Sequence, residues 1–80
     1  MAGDQLPLNF GKVLRRLREA QGMSQEEFAH KAQTGQAYVS LLEAGRRGPS
    51  LVTAQLIATA LKMKLSELVR LVEKESDHSR

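Results

Sequence analysis

The chain has 80 residues, which is enough for one small domain and too few for two separate cores. It has no cysteine, which excludes disulfides and thiolate metal sites, and its net charge of +3 permits nucleic-acid binding without requiring it. The sequence contains no apolar run long enough to span a bilayer and no signal-peptide pattern, so we expect no membrane partner. Its two histidines, at positions 30 and 78, lie too far apart to indicate a metal site.

The first part of the chain predicts an arm followed by a helix. Residues 1–8 show no helical periodicity and contain a proline, so we expect a flexible N-terminal arm. Asn9 is suited to cap a helix over residues 10–21, which Gly22 ends in the left-handed conformation. One apolar face of this helix should point to the core and consists of Phe10, Val13, Leu14 and Leu17.

Two short helices should follow. Ser24 and Glu27 match a capping box, so a second helix is expected to run from Gln25 to about residue 31 or 32. Residues 33–35 form the turn, and a third helix over residues 36–44 ends at Gly45. Two short helices joined by a tight turn are typical of a helix-turn-helix, in which the second helix enters the major groove of DNA.

Two further helices complete the domain. Ser50 is suited to cap a fourth helix over residues 51–62, and a fifth should span residues 65–75, followed by a frayed tail over 76–80. The inward residues of the fourth helix are predicted to be Leu51, Ala54, Ile57, Ala58 and Leu61. No strand pattern appears, so the sequence predicts an all-α, compact five-helix domain.

Three segments together resemble the Cro/XRE family of lambda-repressor-like helix-turn-helix domains: LRRLREAQGMSQEEFAHKA, VSLLEAGRRGPS and LIATALKM. The resemblance covers about residues 10–70. It implies a sequence-specific regulator that binds double-stranded DNA in the bacterial cytoplasm, with no cofactor and no evident small-molecule ligand. The length and the AYVS start of the third helix are similar to restriction–modification controller proteins. A small phage or plasmid repressor and an antitoxin-like regulator are the alternatives.

The resemblance also implies which residues contact DNA. They lie at the start of the second helix, on the exposed face of the third, in the following loop and on the first helix: Gln25, Gln36, Ala37, Tyr38, Ser40, Leu41, Arg46, Arg47 and Arg15. Gln36 can bind adenine in a bidentate manner, whereas Ala37 and Leu41 can only pack on thymine methyl groups. Base readout is therefore expected to be sparse, with DNA shape and phosphate contacts contributing the rest.

Two positions near the ends of the first and third helices have a structural role in this family. By resemblance, Arg18 and Glu43 form a partly buried bidentate ion pair that fixes the recognition helix. A carboxylate facing DNA would be repelled, so Glu43 is not expected to read bases. The family usually has glycine in the turn, and Gln33 in its place should carry some strain.

The apolar residues exceed what one small core needs. On the fourth helix, Val52 and Leu56 lie outside the apolar face predicted for the core. On the fifth helix the apolar residues cover more than one face, and the predicted interface takes four of them: Leu68, Val69, Leu71 and Val72. An apolar surface of this kind usually marks an interface. We therefore expect a two-fold homodimer that places two recognition helices about 34 Å apart on a palindromic site.

Two other classes of function remain to be weighed. The sequence has no nucleophile elbow, phosphate-binding loop or paired catalytic carboxylates, so we expect no enzyme activity. A protein-interaction module on the same fold, without DNA binding, is an alternative that the apolar residues Ala37 and Leu41 would favour.

Overall fold

The computed structural model describes the backbone of residues 2–78 and the side chains of residues 5–75, and this part consists of five α-helices without a strand. The helices are α1 (Ala2–Ala20), α2 (Gln25–Lys31), α3 (Gln36–Glu43), α4 (Leu51–Ala60) and α5 (Leu65–His78). The predicted all-α class with five helices is confirmed.

The first helix begins earlier than the sequence indicated. α1 starts at Ala2 and contains Pro7, so the prediction of an arm over residues 1–8 is wrong for residues 2–8; residue 1 lies outside the described residues. Asn9 is fully buried within the helix and therefore does not cap it. Pro7 and Leu8 lie against the loop that follows α3, so this interior proline sits at a packed site.

Local signals in the sequence correctly placed the start of α2 and the end of α3. The Ser24 hydroxyl accepts a hydrogen bond from the backbone N–H of Glu27 at 3.0 Å, and the Glu27 carboxylate accepts one from the Ser24 N–H at 2.8 Å. This confirms the predicted capping box. Gln33 adopts the left-handed conformation, with φ of 60°, as its place in the turn suggested. Gly45, with φ of 75°, ends α3.

The last two helices also follow their caps. Ser50 accepts a hydrogen bond from the N–H of Thr53 at 3.1 Å and thereby begins α4, which ends at Ala60 rather than at residue 62. α5 continues to His78 and includes the first residues of the predicted tail, whereas residues 79–80 of that tail lie outside the described residues.

For three apolar side chains, the structure shows the opposite of the predicted burial. Leu51 was expected in the core, but it is 75% exposed at the start of α4. Leu68 and Val72 were expected at a dimer interface, but both are buried in the core of the domain. Leu68 has no exposed surface and Val72 only 6%, at the base of a groove, so neither can be a main contact with a second copy.

The core lies around α1, which packs against both α3 and α5, while α2 packs on α3 and α4 on α5. The largest fully buried apolar side chains come from all five helices: Phe28, Leu14, Leu42, Ile57, Leu68, Val13 and Val39. This arrangement places α3 at one side of the domain, with α1 and α2 behind it. No helix in residues 2–78 is long and apolar enough to cross a membrane.

Candidate nucleic-acid interface

The third helix has one buried face and one exposed face. Val39 and Leu42 are fully buried and hold α3 against the core. The exposed positions include the four on which the sequence placed base contacts: Gln36, Ala37, Ser40 and Leu41. Tyr38 is half-buried at the edge of this face and packs against the core. α3 therefore presents two polar and two apolar side chains on one short surface.

An ion pair holds the end of α3 to α1. The guanidinium of Arg18 donates two hydrogen bonds to Glu43, from Nε to Oε2 at 2.6 Å and from Nη2 to Oε1 at 3.0 Å. A third, from Nη1, goes to the carbonyl oxygen of Met23 at 2.7 Å. The side chains of Arg18 and Glu43 are only 10% and 5% exposed. The bidentate pair inferred from the family resemblance is thus present, and two parallel bonds fix orientation as well as distance.

The arginine of this pair is held in its charged form. The hydrogen bond to Glu43 raises the pKa of Arg18 above its ordinary value, and this effect exceeds the opposing effect of burial. Arginine is protonated throughout the physiological range even without this increase. The arginine side of the link between α1 and α3 therefore stays charged at neutral pH.

Gln25 joins the same carboxylate. Its side-chain amide Nε2 donates to Glu43 Oε1 at 3.0 Å, so the start of α2 is tied to the end of α3. The sequence had placed Gln25 only at a DNA phosphate. One of the two amide N–H groups is now occupied, and the other remains chemically able to donate to a phosphate oxygen. This bond was missed because residues 18 apart on different helices leave no periodic signal.

A basic loop follows α3. Arg46 and Arg47 are both exposed between the end of α3 and the start of α4. The guanidinium carbon of Arg47 lies 5.8 Å from the ring centroid of Tyr38, within the range of a cation–π contact. The sequence had treated Tyr38 and Arg47 as separate DNA contacts. The structure instead brings them together, which orients the arginine relative to α3.

Arg15 stands apart from this group. It is exposed on α1, and its Nε donates to Glu19 Oε2 at 3.2 Å. An exposed pair of this kind is worth only about 0–1 kcal/mol, so a phosphate could replace it at little cost. This bond joins two residues of α1 and does not connect Arg15 to α3 or to the basic loop.

A continuous apolar surface lies on α4, α5 and the start of α1. Leu51 and Val52 are 75% and 72% exposed, and with Leu56 and Leu65 they line a shallow groove of about 310 Å³. Leu51 also lines a neighbouring groove of about 380 Å³ together with side chains of α1 and α5, among them Leu6 and Val69. Leu6 and Leu51 were missed as surface residues, because the sequence placed one in an arm and the other in the core. Leu71 is half-buried and packs against the core.

Comparison with known proteins agrees with this geometry. A family model described as helix-turn-helix matches residues 14–68. The control protein C.MunI of Mycoplasma sp is 38% identical over 73 residues, which are 90% of this chain and 99% of that protein. A regulator of Sinorhizobium fredii named as an uncharacterised helix-turn-helix protein is 41% identical over 59 residues, which are 74% of this chain and 77% of that protein.

Solved structures are similar as well. The restriction-modification controller protein C.AhdI of Aeromonas hydrophila superposes with a TM-score of 0.74 at 42% identity, over 78% of this chain and 94% of that one. The wild-type restriction-modification controller protein C.Esp1396I gives a TM-score of 0.79 at 26% identity, over 88% of this chain and 91% of that one. Both superpositions cover most of each chain, so the fold of this domain is shared with these proteins.

Proposed function

Because the chain belongs to the Cro/XRE-type helix-turn-helix family of bacterial transcriptional regulators, we propose that it binds a palindromic operator in double-stranded DNA as a homodimer. The observation that carries this proposal is the exposed face of α3, which is held to α1 and α2 by a single buried carboxylate, that of Glu43. A helix fixed in this way can enter the major groove without losing its orientation.

The exposed face of α3 has the chemistry for limited base readout. The Gln36 amide can pair with the N6 and N7 atoms of adenine, and the Ser40 hydroxyl can donate to or accept from several bases. Ala37 and Leu41 contribute methyl groups that pack against thymine. Few base contacts are available, so DNA shape at other positions supplies part of the specificity.

The basic loop supplies contacts to the DNA backbone. Arg46 and Arg47 follow α3 directly, and a groove-bound α3 brings them to the adjacent phosphates or to a narrowed minor groove. Such contacts raise affinity for every sequence because they neutralise phosphate charge. Arg15 and the free N–H of Gln25 are further candidates for phosphate contacts.

The apolar surface supports a homodimer. Leu51, Val52 and Val69 are large and exposed on α4 and α5, outside the exposed face of α3. A second copy that covers this surface would remove the apolar area from water and leave both α3 helices exposed. The interface proposed here therefore retains Val52, Leu56, Val69 and Leu71 and adds Leu6 and Leu51.

The relatives point to a more specific role. The chain matches a protein named as a control protein and another named as a restriction–modification controller over nearly the whole length of each. We therefore infer that it regulates a restriction–modification operon in the cytoplasm. A small phage or plasmid repressor, or an antitoxin-like regulator, is the second candidate. DNA footprinting tests whether the operator lies upstream of the chain's own gene. The neighbouring genes then show whether that gene belongs to a restriction–modification operon.

DNA binding is tested by fluorescence anisotropy on labelled duplexes over a range of salt concentrations. A DNA binder loses affinity linearly in log–log form, with a slope of about 0.9 for each phosphate contacted. Gln36→Ala should weaken the specific duplex selectively, whereas Arg47→Ala should weaken all duplexes to a similar degree. Arg70→Ala, which removes the same charge from exposed α5, is the matched control and should change little.

Absence of binding to any duplex at low salt would overturn the proposal and favour the protein-interaction module. In that case the exposed apolar positions of α3, Ala37 and Leu41, would be the first place to look for a partner protein.

The homodimer is tested by sedimentation equilibrium at tens of micromolar protein. Val52→Asp should shift the protein to monomer because it places a charge in the apolar surface. His30→Asp adds a carboxylate at an exposed position of α2, outside that surface, and should leave the association unchanged. Wild-type protein that is only monomeric at these concentrations contradicts the dimer.

A further inference from the structure

The loop that carries Arg46 and Arg47 is seated on the N-terminal part of α1. At the start of the loop, a β-carbon placed on Gly45 would lie 2.6 Å from Leu8 Cδ1 and 3.0 Å from Leu8 Cα. At its end, a β-carbon on Gly48 would lie 3.7 Å from Pro7 Cγ. The two glycines bracket the two arginines, so both ends of the basic loop rest against one turn of α1.

The same helix also fixes the point from which the loop departs. A β-carbon on Gly11 would collide with the carbonyl oxygen of Leu42 and lie 2.7 Å from that of Glu43. α1 therefore crosses the last turn of α3 with its backbone nearly in contact. Gly45 then turns the chain in the left-handed conformation, with φ of 75°, directly against Leu8.

On the other side, the loop is held by an aromatic ring. The guanidinium of Arg47 lies over Tyr38, 5.8 Å from the ring centroid. The loop is thus confined between α1, through Pro7 and Leu8, and α3, through Tyr38. A side chain that is already oriented loses less conformational entropy when it binds.

We propose that Leu8 is a positioning residue for DNA-backbone contact, which holds the Arg46–Arg47 loop in its binding orientation. This inference rests on the proposed function. Leu8 itself does not meet DNA; it acts through the loop that it supports. Its side chain is 43% exposed, so truncation to alanine removes the contact of Cδ1 with Gly45, keeps those of Cα and Cβ, and leaves the buried core intact.

The first arm of the test needs no DNA. Backbone {¹H}–¹⁵N heteronuclear NOE values report the order of the Arg46 and Arg47 amides in the free protein. We expect helix-like values in the wild type, a fall in Leu8→Ala and wild-type values in Leu8→Met, which keeps a long apolar side chain. Glu19→Ala is the control, since it shortens an exposed side chain near the other end of the same helix, where Glu19 pairs with Arg15. Unchanged loop amides in Leu8→Ala overturn the proposal.

The second arm is a double-mutant cycle of duplex affinity at low salt. Leu8→Ala should weaken binding about three- to tenfold in the wild-type background, the effect of one or two side chains that must be ordered on binding. In the Arg46→Ala/Arg47→Ala background the same substitution should have almost no effect.

An equal loss in both backgrounds overturns the proposal, because a merely structural effect would not depend on the arginines. If thermal denaturation shows that Leu8→Ala is not folded at the assay temperature, Leu8→Val, which shortens the same side chain, replaces it. Failure of the wild type to bind any duplex would refute the proposed function, and the NOE measurement would still decide the positioning role.

Discussion

The carboxylate of Glu43 joins three helices, and its removal provides a quantitative test of the interface. Glu43→Ala deletes the acceptor of three hydrogen bonds, two from Arg18 at 2.6 and 3.0 Å and one from Gln25 at 3.0 Å. Arg18, whose side chain is 10% exposed, then keeps its bond to the Met23 carbonyl and the more distant carboxylate of Glu19, at 3.9 Å, but loses its buried, hydrogen-bonded counter-ion. A charge left without its partner in a buried site is the costly part of this change.

The expected loss of stability follows from that geometry. Removal of one partner from a buried pair costs about 3–5 kcal/mol, and the slight exposure of Arg18 favours the lower end, about 3 kcal/mol. In a domain of this size each kcal/mol lowers Tm by about 4–8 °C, so Tm should fall by roughly 12–24 °C. A charged group also makes each lost hydrogen bond more expensive than a neutral one.

Thermal denaturation followed by circular dichroism at 222 nm measures this effect, with protein concentration held fixed because association changes the apparent stability. Glu19→Ala is the control, since Glu19 is 54% exposed, pairs with Arg15 at the surface and approaches Arg18 only to 3.9 Å. That pair contributes about 0.5 kcal/mol or less. Arg18→Met combined with Glu43→Leu should recover part of the loss because it leaves no buried charge. A fall in Tm no larger than that of Glu19→Ala would refute this reasoning.

Three further changes test other features of the fold. The capping-box hydrogen bonds between Glu27 and Ser24 hold the pKa of Glu27 below its ordinary value of 4.5. Their stabilisation is therefore complete above pH 4.5 and lost as pH falls through the lowered value, so the Tm difference between wild type and Glu27→Gln should shrink in acid. Glu26→Gln, the control, should show a smaller difference at neutral pH. Gln33→Gly should stabilise by about 0.5–1 kcal/mol by relieving left-handed strain, and a lower Tm would contradict it. Gly11→Ala should destabilise by about 1–3 kcal/mol through collision with α3, whereas Gly35→Ala, with open space around it, should not do so by that route.

Local signals in the sequence predicted the helix boundaries best. Ser24, Gly45 and Ser50 mark boundaries in the structure, because capping depends on residues only a few positions apart. Pro7 misled for the opposite reason. Its effect on α1 is decided by packing against a loop about 40 residues away in the chain, which no local pattern records.

The periodicity of the sequence could not predict which side chains of α4 and α5 face the core. Helix five carries apolar residues on more than one face, so the pattern was equally compatible with Leu68 inside or outside; only the packing of α1 against α5 places it inside. The contacts of Gln25 with Glu43 and of Arg47 with Tyr38 depend on side-chain directions on separate elements. Family resemblance supplied the Arg18–Glu43 pair, but these two contacts required coordinates.

The bond network at Glu43 has a consequence for how such a protein can diversify. The residues that anchor α3 and those that face outward from it are different residues, so selection can act on one set without disturbing the other. Substitutions at exposed positions such as Ala37, Ser40 and Leu41 typically change stability by no more than about 0.5 kcal/mol. Under the proposed function, a lineage can therefore acquire a new operator by exchanging a few outward side chains, and a laboratory can do the same by grafting them onto this scaffold.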